Sequence, residues 1–258
     1  MKLLSLNLWG GHVYESRMDF LKEHAATVDI FCFQEVFSTS ADYGQSAQAR
    51  SNIYQEIEKV LPDFRGYFNG EQDSVRNHDW VDFPVSYGLA TFIRSSVPVK
   101  NFGDFVMYGY EQGTDQQGDM PTGPGNLQYF ELDVNGTSVT VANVQGLWSD
   151  LEETDSPNHI QQSERVAQYL QGQPGEKILC GDFNLMPTTK SLAILEQGMR
   201  NLVKEKETAP DGQLYEREDK QANYTLVSPG VTVHGFSVMP DVVSDHLAMS
   251  LEFSVGQA

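Results

Sequence analysis

The sequence predicts an α/β (α+β) fold in which two packed β-sheets carry helices on their outer faces. Short apolar, β-rich runs recur along the whole chain, and amphipathic helical spacing appears between some of them. No Pro/Gly/Ser-rich linker separates the β-rich halves, so one domain spanning residues 1–258 is expected.

The elements follow in chain order. Residues 3–8 read as a buried strand. Met18, Leu21, Ala25 and Val28 fall at helical spacing, and residues 29–33 form a second buried strand. Ala49, Ile53, Ile57, Val60 and Leu61 mark an amphipathic helix closed by Pro62. The middle of the chain changes character: residues 89–93, 105–108, 127–134 and 138–144 are strand-like. Asn135-Gly136 joins the last two and fits a type I′ hairpin turn. Residues 71–84 and 109–125 read as long loops, a usual place for substrate contacts. Ser156-Pro157 opens a helix, with serine as N-cap and proline at the first helical position; Ile160, Val166, Ala167 and Leu170 line its buried side. Residues 177–180 are a strand, and Leu192, Ile194 and Leu195 indicate a short helix. Residues 224–227, Val231–Val238 and 246–253 complete the strands, and no internal repeat is evident.

Composition narrows the chemistry. The 258 residues include 17 Lys+Arg against 36 Asp+Glu, a formal net charge of -19. Duplex DNA is held mainly by Lys and Arg contacts to phosphate, and this chain has no basic run; Lys204-Glu205-Lys206-Glu207 is mixed. The balance favours a metal site and a smaller phosphate ester over long nucleic acid, with a nuclease still open. No run reaches the roughly 18 apolar residues of a membrane span, and no basic amphipathic helix offers a membrane dock, so no stable membrane insertion is expected. Cys32 and Cys180 each lie in an apolar strand; they read as buried reduced thiols on neighbouring strands, in a cytoplasmic setting.

Four polar segments, far apart in the chain, sit at the ends of strand-like runs: Asn7-Leu8-Trp9, Gln34-Glu35, Gly181-Asp182-Phe183-Asn184 and Ser244-Asp245-His246. Strand ends on one edge of a sheet converge, and carboxylates, amides and an imidazole gathered there make a hard-cation site with an acid/base partner. Glu35 directly follows an apolar strand, where an unpaired carboxylate is costly to bury and a divalent cation offsets that cost. Asp182 and Asn184 are two apart, so an extended segment points both to one side, where they can deprotonate and orient a water; an Asp/Asn turn is the plainer reading. Asp245 suits the metal side and His246 the phosphate side. His12, after Gly10-Gly11, is a candidate substrate contact. Trp9 and Trp148 stand where they can border the pocket, although large aromatics after strands are usually core. His24, His234 and His159 read as structural or exposed, and His78 sits in the first long loop.

Together the motifs Leu6-Asn7-Leu8-Trp9, Phe33-Gln34-Glu35, Gly181-Asp182-Phe183-Asn184 and Ser244-Asp245-His246-Leu247 resemble the endonuclease/exonuclease/phosphatase superfamily of deoxyribonuclease I-like enzymes. They occur in family order and cover nearly the whole chain. The resemblance implies a four-layer sandwich: two mainly antiparallel sheets face to face, with helices on both outer faces. It implies Mg2+-dependent (or Mn2+-dependent) hydrolysis of a phosphoester, either a small molecule or a nucleic acid. Glu35 would ligate the metal, with Asn7 and Asp245 in or near its shell. Asp182 would activate the attacking water, Asn184 would orient it, and His246 would stabilise the phosphate. Two positions depart from the family: Gln145 stands where a histidine is common, and Asn223 where an aspartate usually pairs with the final histidine. These departures leave a second reading open, a member that binds metal or phosphate without efficient turnover.

Overall fold

The computed structural model describes residues 1–39, 50–73, 75–76, 79–80, 84–108, 125–147, 155–207 and 223–256. In chain order its elements are β1 (Lys2–Asn7), α1 (Tyr14–His24), β2 (Ile30–Ser38), α2 (Ile53–Val60), β3 (Phe64–Asp73), β4 (Val75–Arg76), β5 (Asp79–Trp80), β6 (Ser86–Arg94), β7 (Val99–Tyr108) and β8 (Gly125–Val134). These are followed by β9 (Thr137–Gln145), α3 (Pro157–Gly172), β10 (Glu176–Asp182), α4 (Lys190–Leu195), β11 (Arg200–Asn201), α5 (Leu202–Glu207), β12 (Asn223–Val227), β13 (Val231–Val238) and β14 (Met249–Val255).

Twelve of the strands form two six-stranded sheets, ordered β13-β14-β1-β2-β6-β3 and β11-β12-β10-β9-β8-β7. Each sheet is antiparallel except for one central parallel pair, β1/β2 in the first and β9/β10 in the second. A parallel pair needs a crossover, and α1 and α3 supply the helical part of each. The sheets pack face to face around Leu3, Ile30, Cys32, Phe130, Val141, Ile178 and Cys180. Met18, Leu21, Ile53 and Ile57 cover the outer face of the first sheet, against Leu4, Leu6, Phe31 and Phe33. Val166, Leu170, Leu192 and Leu195 cover the second, against Ala142, Val144, Leu179 and Leu226. This is the four-layer α/β sandwich that the resemblance implies.

Period-two alternation sorts the side chains, and a second gradient runs along the inward faces. On β1 the residues facing the opposite sheet are Leu3, Ser5 and Asn7; on β10 they are Ile178, Cys180 and Asp182; on β12, Val227, Thr225 and Asn223. Each series passes from apolar to small to amide or carboxylate, and each ends at the same end of the sandwich. Buried amides close the space behind that end. Gln34 Nε2 donates to Asn143 Oδ1 at 2.7 Å, Asn143 Nδ2 to the Phe33 carbonyl at 3.0 Å, and Thr91 Oγ1 to Gln128 Oε1 at 2.7 Å. These bonds join the two sheets and fix their relative placement.

Several expectations change. The last strand begins at Met249 rather than at residue 246, so Asp245 and His246 belong to the preceding loop. The segment expected as a loop from residue 71 is strand as far as Asp73, because β3 pairs with β6 over its length, and β4 and β5 form a short ladder beyond it. β3 itself, with its mixed aromatic, glycine and polar sequence, carries no clear alternation. Helix α1 ends at His24, short of Ala25 and Val28; α2 begins at Ile53 and ends at Val60, one residue short of Leu61, and Ala49 lies outside the described residues. Cys32 and Cys180 are buried free thiols that meet across the interface between sheets, not on adjacent strands of one sheet. The Asn135-Gly136 turn has positive φ at both residues (53° and 85°), as type I′ requires. Ser156 caps α3 through the His159 N–H, and His159 Nε2 donates to the Leu147 carbonyl at 3.0 Å, which makes this histidine structural. Trp148, His78 and residues 109–124 lie outside the described residues. No helix among the described residues is long and apolar enough to cross a membrane.

Two β-bulges flank Gly88. On β2, Gln34 and Glu35 stand against the single residue Leu89 of β6. On β3, Glu71 is the extra residue between Gly70 and Gln72. A Cβ at position 88 would lie 2.0 Å from the Asn69 carbonyl oxygen, so only glycine admits the second bulge. Glu71 accepts the Asn126 N–H of β8 at 2.7 Å, across the sheet interface. Burial pushes its carboxyl from about 4.5 up to about 8, against that hydrogen bond and with Asp104 adding to the rise. Between these values the unfolded chain has released the proton while the folded chain keeps it, so this group's contribution to stability is full below about pH 4.5 and is lost as pH rises through about 8. Glu71→Gln keeps the acceptor and removes the proton. Its urea midpoint is therefore expected to gain on the natural chain as pH rises from 5 to about 8; parallel midpoints across that range would contradict the assignment.

Candidate active site

The polar end of the sandwich is assembled from both sheets. Asn7 ends β1 and Gln34 pairs with it in parallel register. The β2 bulge then turns Glu35, at φ 55°, toward the second sheet. A non-glycine residue in this region is strained, and such strain gathers at functional sites. On the second sheet Asp182 is in register with Gln145 on one side and Asn223 on the other, so β9, β10 and β12 present an amide, a carboxylate and an amide in one row.

Asn7 joins the two sheets at this point. Its Nδ2 donates to Glu35 Oε1 and to Asp182 Oδ2, both at 2.9 Å, while its Oδ1 accepts the Trp9 N–H at 2.9 Å. Gln145 Nε2 donates to the same Glu35 Oε1 at 3.0 Å, and the buried Tyr87 hydroxyl of β6 lies close to Gln145 on the side of the first sheet. Asp182 is 2% exposed. Among the described residues no Lys or Arg lies within ion-pair distance of either carboxylate; the nearest positive candidate is His246, whose Nε2 is 3.8 Å from Asp182 Oδ2. Burial pushes the Glu35 carboxyl up to about 6, with Asp182 and Asp245 adding to the rise and Asn7 and His246 opposing it. Two carboxylates thus stand side by side with amide donors but no strong cation.

The remaining residues complete the edge. Gly181 at φ 139° lies where a Cβ would meet the Val144 carbonyl oxygen at 2.0 Å, so β9 and β10 approach closely just before Asp182. Asn184 is left-handed (φ 50°); its N–H bonds Asp182 Oδ1 at 3.1 Å and its Nδ2 the Gly146 carbonyl at 2.8 Å, so its Oδ1 is the atom that can orient a water. His246 reaches the site from a loop, and Asn223 Nδ2 stands 2.6 Å from its Nδ1. With the amide placed so, Nδ1 accepts and the ring proton sits on Nε2, facing Asp182. Asp245, also in that loop, is exposed and accepts Ser244 Oγ at 3.0 Å. His12 stacks on Trp9 with ring centroids 4.3 Å apart and bonds the Trp9 carbonyl through Nδ1. Trp9 is 41% exposed rather than core.

Asn7, Glu35, Gln145, Asp182, Asn184, Asn223, Asp245 and His246 therefore fall at one edge, while His12 contacts Trp9 rather than the carboxylates. Sequence reasoning missed Gln34 and Asn143 as the buried link between sheets, Tyr87 beside Gln145, and Arg17 beneath the His246 loop. Strand alternation was a usable signal for Asn143, two residues before Gln145 and on the same face. No group of three His, Cys, Asp or Glu stands in ligating arrangement among the described residues. The donor chemistry still fits a hard divalent cation: anionic oxygens converge, and among the described residues the hydrogen bonds they accept come from amide N–H groups that a cation displaces readily.

The model of the endonuclease/exonuclease/phosphatase family matches residues 4–246. The chain belongs to this family. Solved family members share the fold at low identity. A protein from Leptotrichia buccalis is 16% identical, with TM-score 0.70 over 98% of this chain and 99% of its own. The mannosyl-6-phosphatase of Bacteroides thetaiotaomicron is 18% identical, with TM-score 0.70 over 98% and 99%. The catalytic domain of human Nocturnin, solved with a bound sulfate, is 20% identical, with TM-score 0.68 over 99% and 94%. No curated protein sequence matches the chain.

Within this family frame the Asn223–His246 contact has a direct test. A carboxylate at position 223 can only accept, so it would draw the ring proton to Nδ1. In 15N NMR of the neutral ring, the proton is expected on Nε2 in the natural chain and on Nδ1 in Asn223→Asp. Identical ring spectra would mean that residue 223 does not set the protonation of His246.

Proposed function

We propose that this protein hydrolyses a phosphoester with a divalent cation, Mg2+ or Mn2+, using one catalytic unit formed by residues 1–258. The observation that carries this reading is the Asn7 amide shared by Glu35 and Asp182, which sets two carboxylates from opposite sheets beside each other. Glu35 would hold the cation, with Asp245 near it and Asn7 as a donor at its border. When bound, the cation supplies Lewis-acid stabilisation of charge on phosphate oxygens. The protein's own groups do the rest. Asp182, buried and fixed by Asn7, accepts the proton of the attacking water. Asn184, its plane fixed by Gly146, orients that water. His246 donates from Nε2 to a phosphate oxygen as charge develops, and Gln145 keeps Glu35 in place. His12 and Trp148 are assigned to the substrate rim.

The net charge of -19 favours a small phosphorylated molecule over long nucleic acid. The two buried free thiols fit a reducing, cytoplasmic setting. Because Asn223 and Gln145 replace the family's usual Asp and His, an impaired enzyme that retains metal or phosphate binding is the second reading. The double variant Asn223→Asp/Gln145→His separates the two: a gain of several orders of magnitude in rate supports impairment, and an unchanged rate removes its basis.

The natural chain with Mg2+ is expected to cleave bis-p-nitrophenyl phosphate. Asp182→Ala is expected to reduce turnover by about 10²-fold to 10⁴-fold, the usual contribution of a positioned base. Equal turnover by both proteins would reject the role given to Asp182.

A further inference from the structure

We propose that Arg17 is a positioning residue for this site: its buried guanidinium ties down the loop that presents Asp245 and His246. The inference rests on the phosphoesterase reading for its kinetic consequence and on geometry alone for its structural one. Arg17 lies in α1 and is 0% exposed. Its Nε and Nη2 both donate to the Val243 carbonyl, at 3.1 and 2.9 Å, across 226 residues of chain. Among the described residues, the buried Nη1 has no hydrogen-bond partner.

The loop needs such a tie. Between β13 and β14 it has no helix or strand. Its stem is closed by Met239 N–H to the Ala248 carbonyl at 2.8 Å, and Val243 N–H bonds the Asp241 carbonyl at 3.1 Å. Val243 and Ser244 are buried, while Asp241, Val242 and Asp245 are exposed. The chain thus dips into the core at Val243, where Arg17 holds it, and emerges one residue later with Asp245 and His246. From there Asn223 fixes the His246 ring. Arg17 is also close enough to Asp245 to be affected by its charge: burial lowers the guanidinium to about 10, and Asp245 opposes that fall. The group stays cationic at neutral pH.

A buried guanidinium with an unpartnered nitrogen is a poor device for stability alone, because apolar residues of similar volume usually do as well or better. Its value here is the single carbonyl it grips. A shift of about 1 Å in groups that act on the reacting phosphate is enough to cost about 100-fold in rate.

The test compares the natural chain with Arg17→Met and Arg17→Lys. Hydrogen exchange on the metal-free proteins is expected to show lost protection at residues 243–248 in Arg17→Met, with β1, β2 and β10 unchanged. Turnover should fall about 100-fold with KM changed much less, and Arg17→Lys, which keeps one donor for the Val243 carbonyl, should recover part of both. Unchanged exchange in 243–248 overturns the proposal, as does loss of protection spread evenly over both sheets. If Arg17→Met does not fold, the same two exchange outcomes decide with Arg17→Lys. If the natural chain cleaves no phosphoester, the phosphoesterase reading fails while the exchange result still decides whether Arg17 positions the loop.

Discussion

One amide nitrogen, Asn7 Nδ2, bonds a carboxylate from each sheet, and the geometry of the polar edge depends on that bridge. Like charges side by side repel, and burial removes the water that would screen them. The bridge is tolerated because the sheets cannot slide apart. Behind it, Gln34–Asn143 and Thr91–Gln128 link the same two sheets through buried hydrogen bonds. Farther back the interface is apolar. The sandwich is therefore a clamp: its dry end supplies stability, its amide layer sets register, and its open end holds anionic oxygens side by side.

The backbone contributes through local exceptions to regular strand geometry. Glu35 sits in a bulge with a left-handed backbone, Asn184 and Trp9 also have positive φ, and Gly181 allows two strands to approach closely before Asp182. A regular strand through Glu35 would continue the alternation of Phe33 and send the carboxylate into the helix-facing layer. The bulge adds one residue and reverses that sense. Gly88 makes room on the next strand pair, where the same device places Glu71. Strained backbone at such points is consistent with residues chosen for position rather than for stability.

Much of this could be read from the sequence because burial and alternation leave strong traces. The runs at residues 3–8, 29–33 and 177–180 carry apolar residues on both faces, as central strands buried on both sides must. The motifs at their ends located Asn7, Glu35 and Asp182. What stayed hidden depended on partners distant in the chain. Nothing local distinguishes Arg17 from a surface arginine on α1; only the fold brings Val243 above it. β3 escaped notice because its pairing with β6, not its own pattern, makes it a strand. The start of the last strand was placed too early because His246 and Leu247 look continuous with the apolar run at 248–253, whereas Asn223 and Arg17 hold the loop away from the sheet.

The central claim is that the edge bridged by Asn7 is a cation site. Anomalous diffraction from crystals soaked in Mn2+ tests it most directly. The account predicts the strongest peak bound to a Glu35 carboxylate oxygen, with Asp182 and Asp245 lining the same site and the Asn7 amide displaced from at least one of its two partners. Peaks confined to the outer surface, with Glu35 and Asp182 still joined through Asn7, would contradict it.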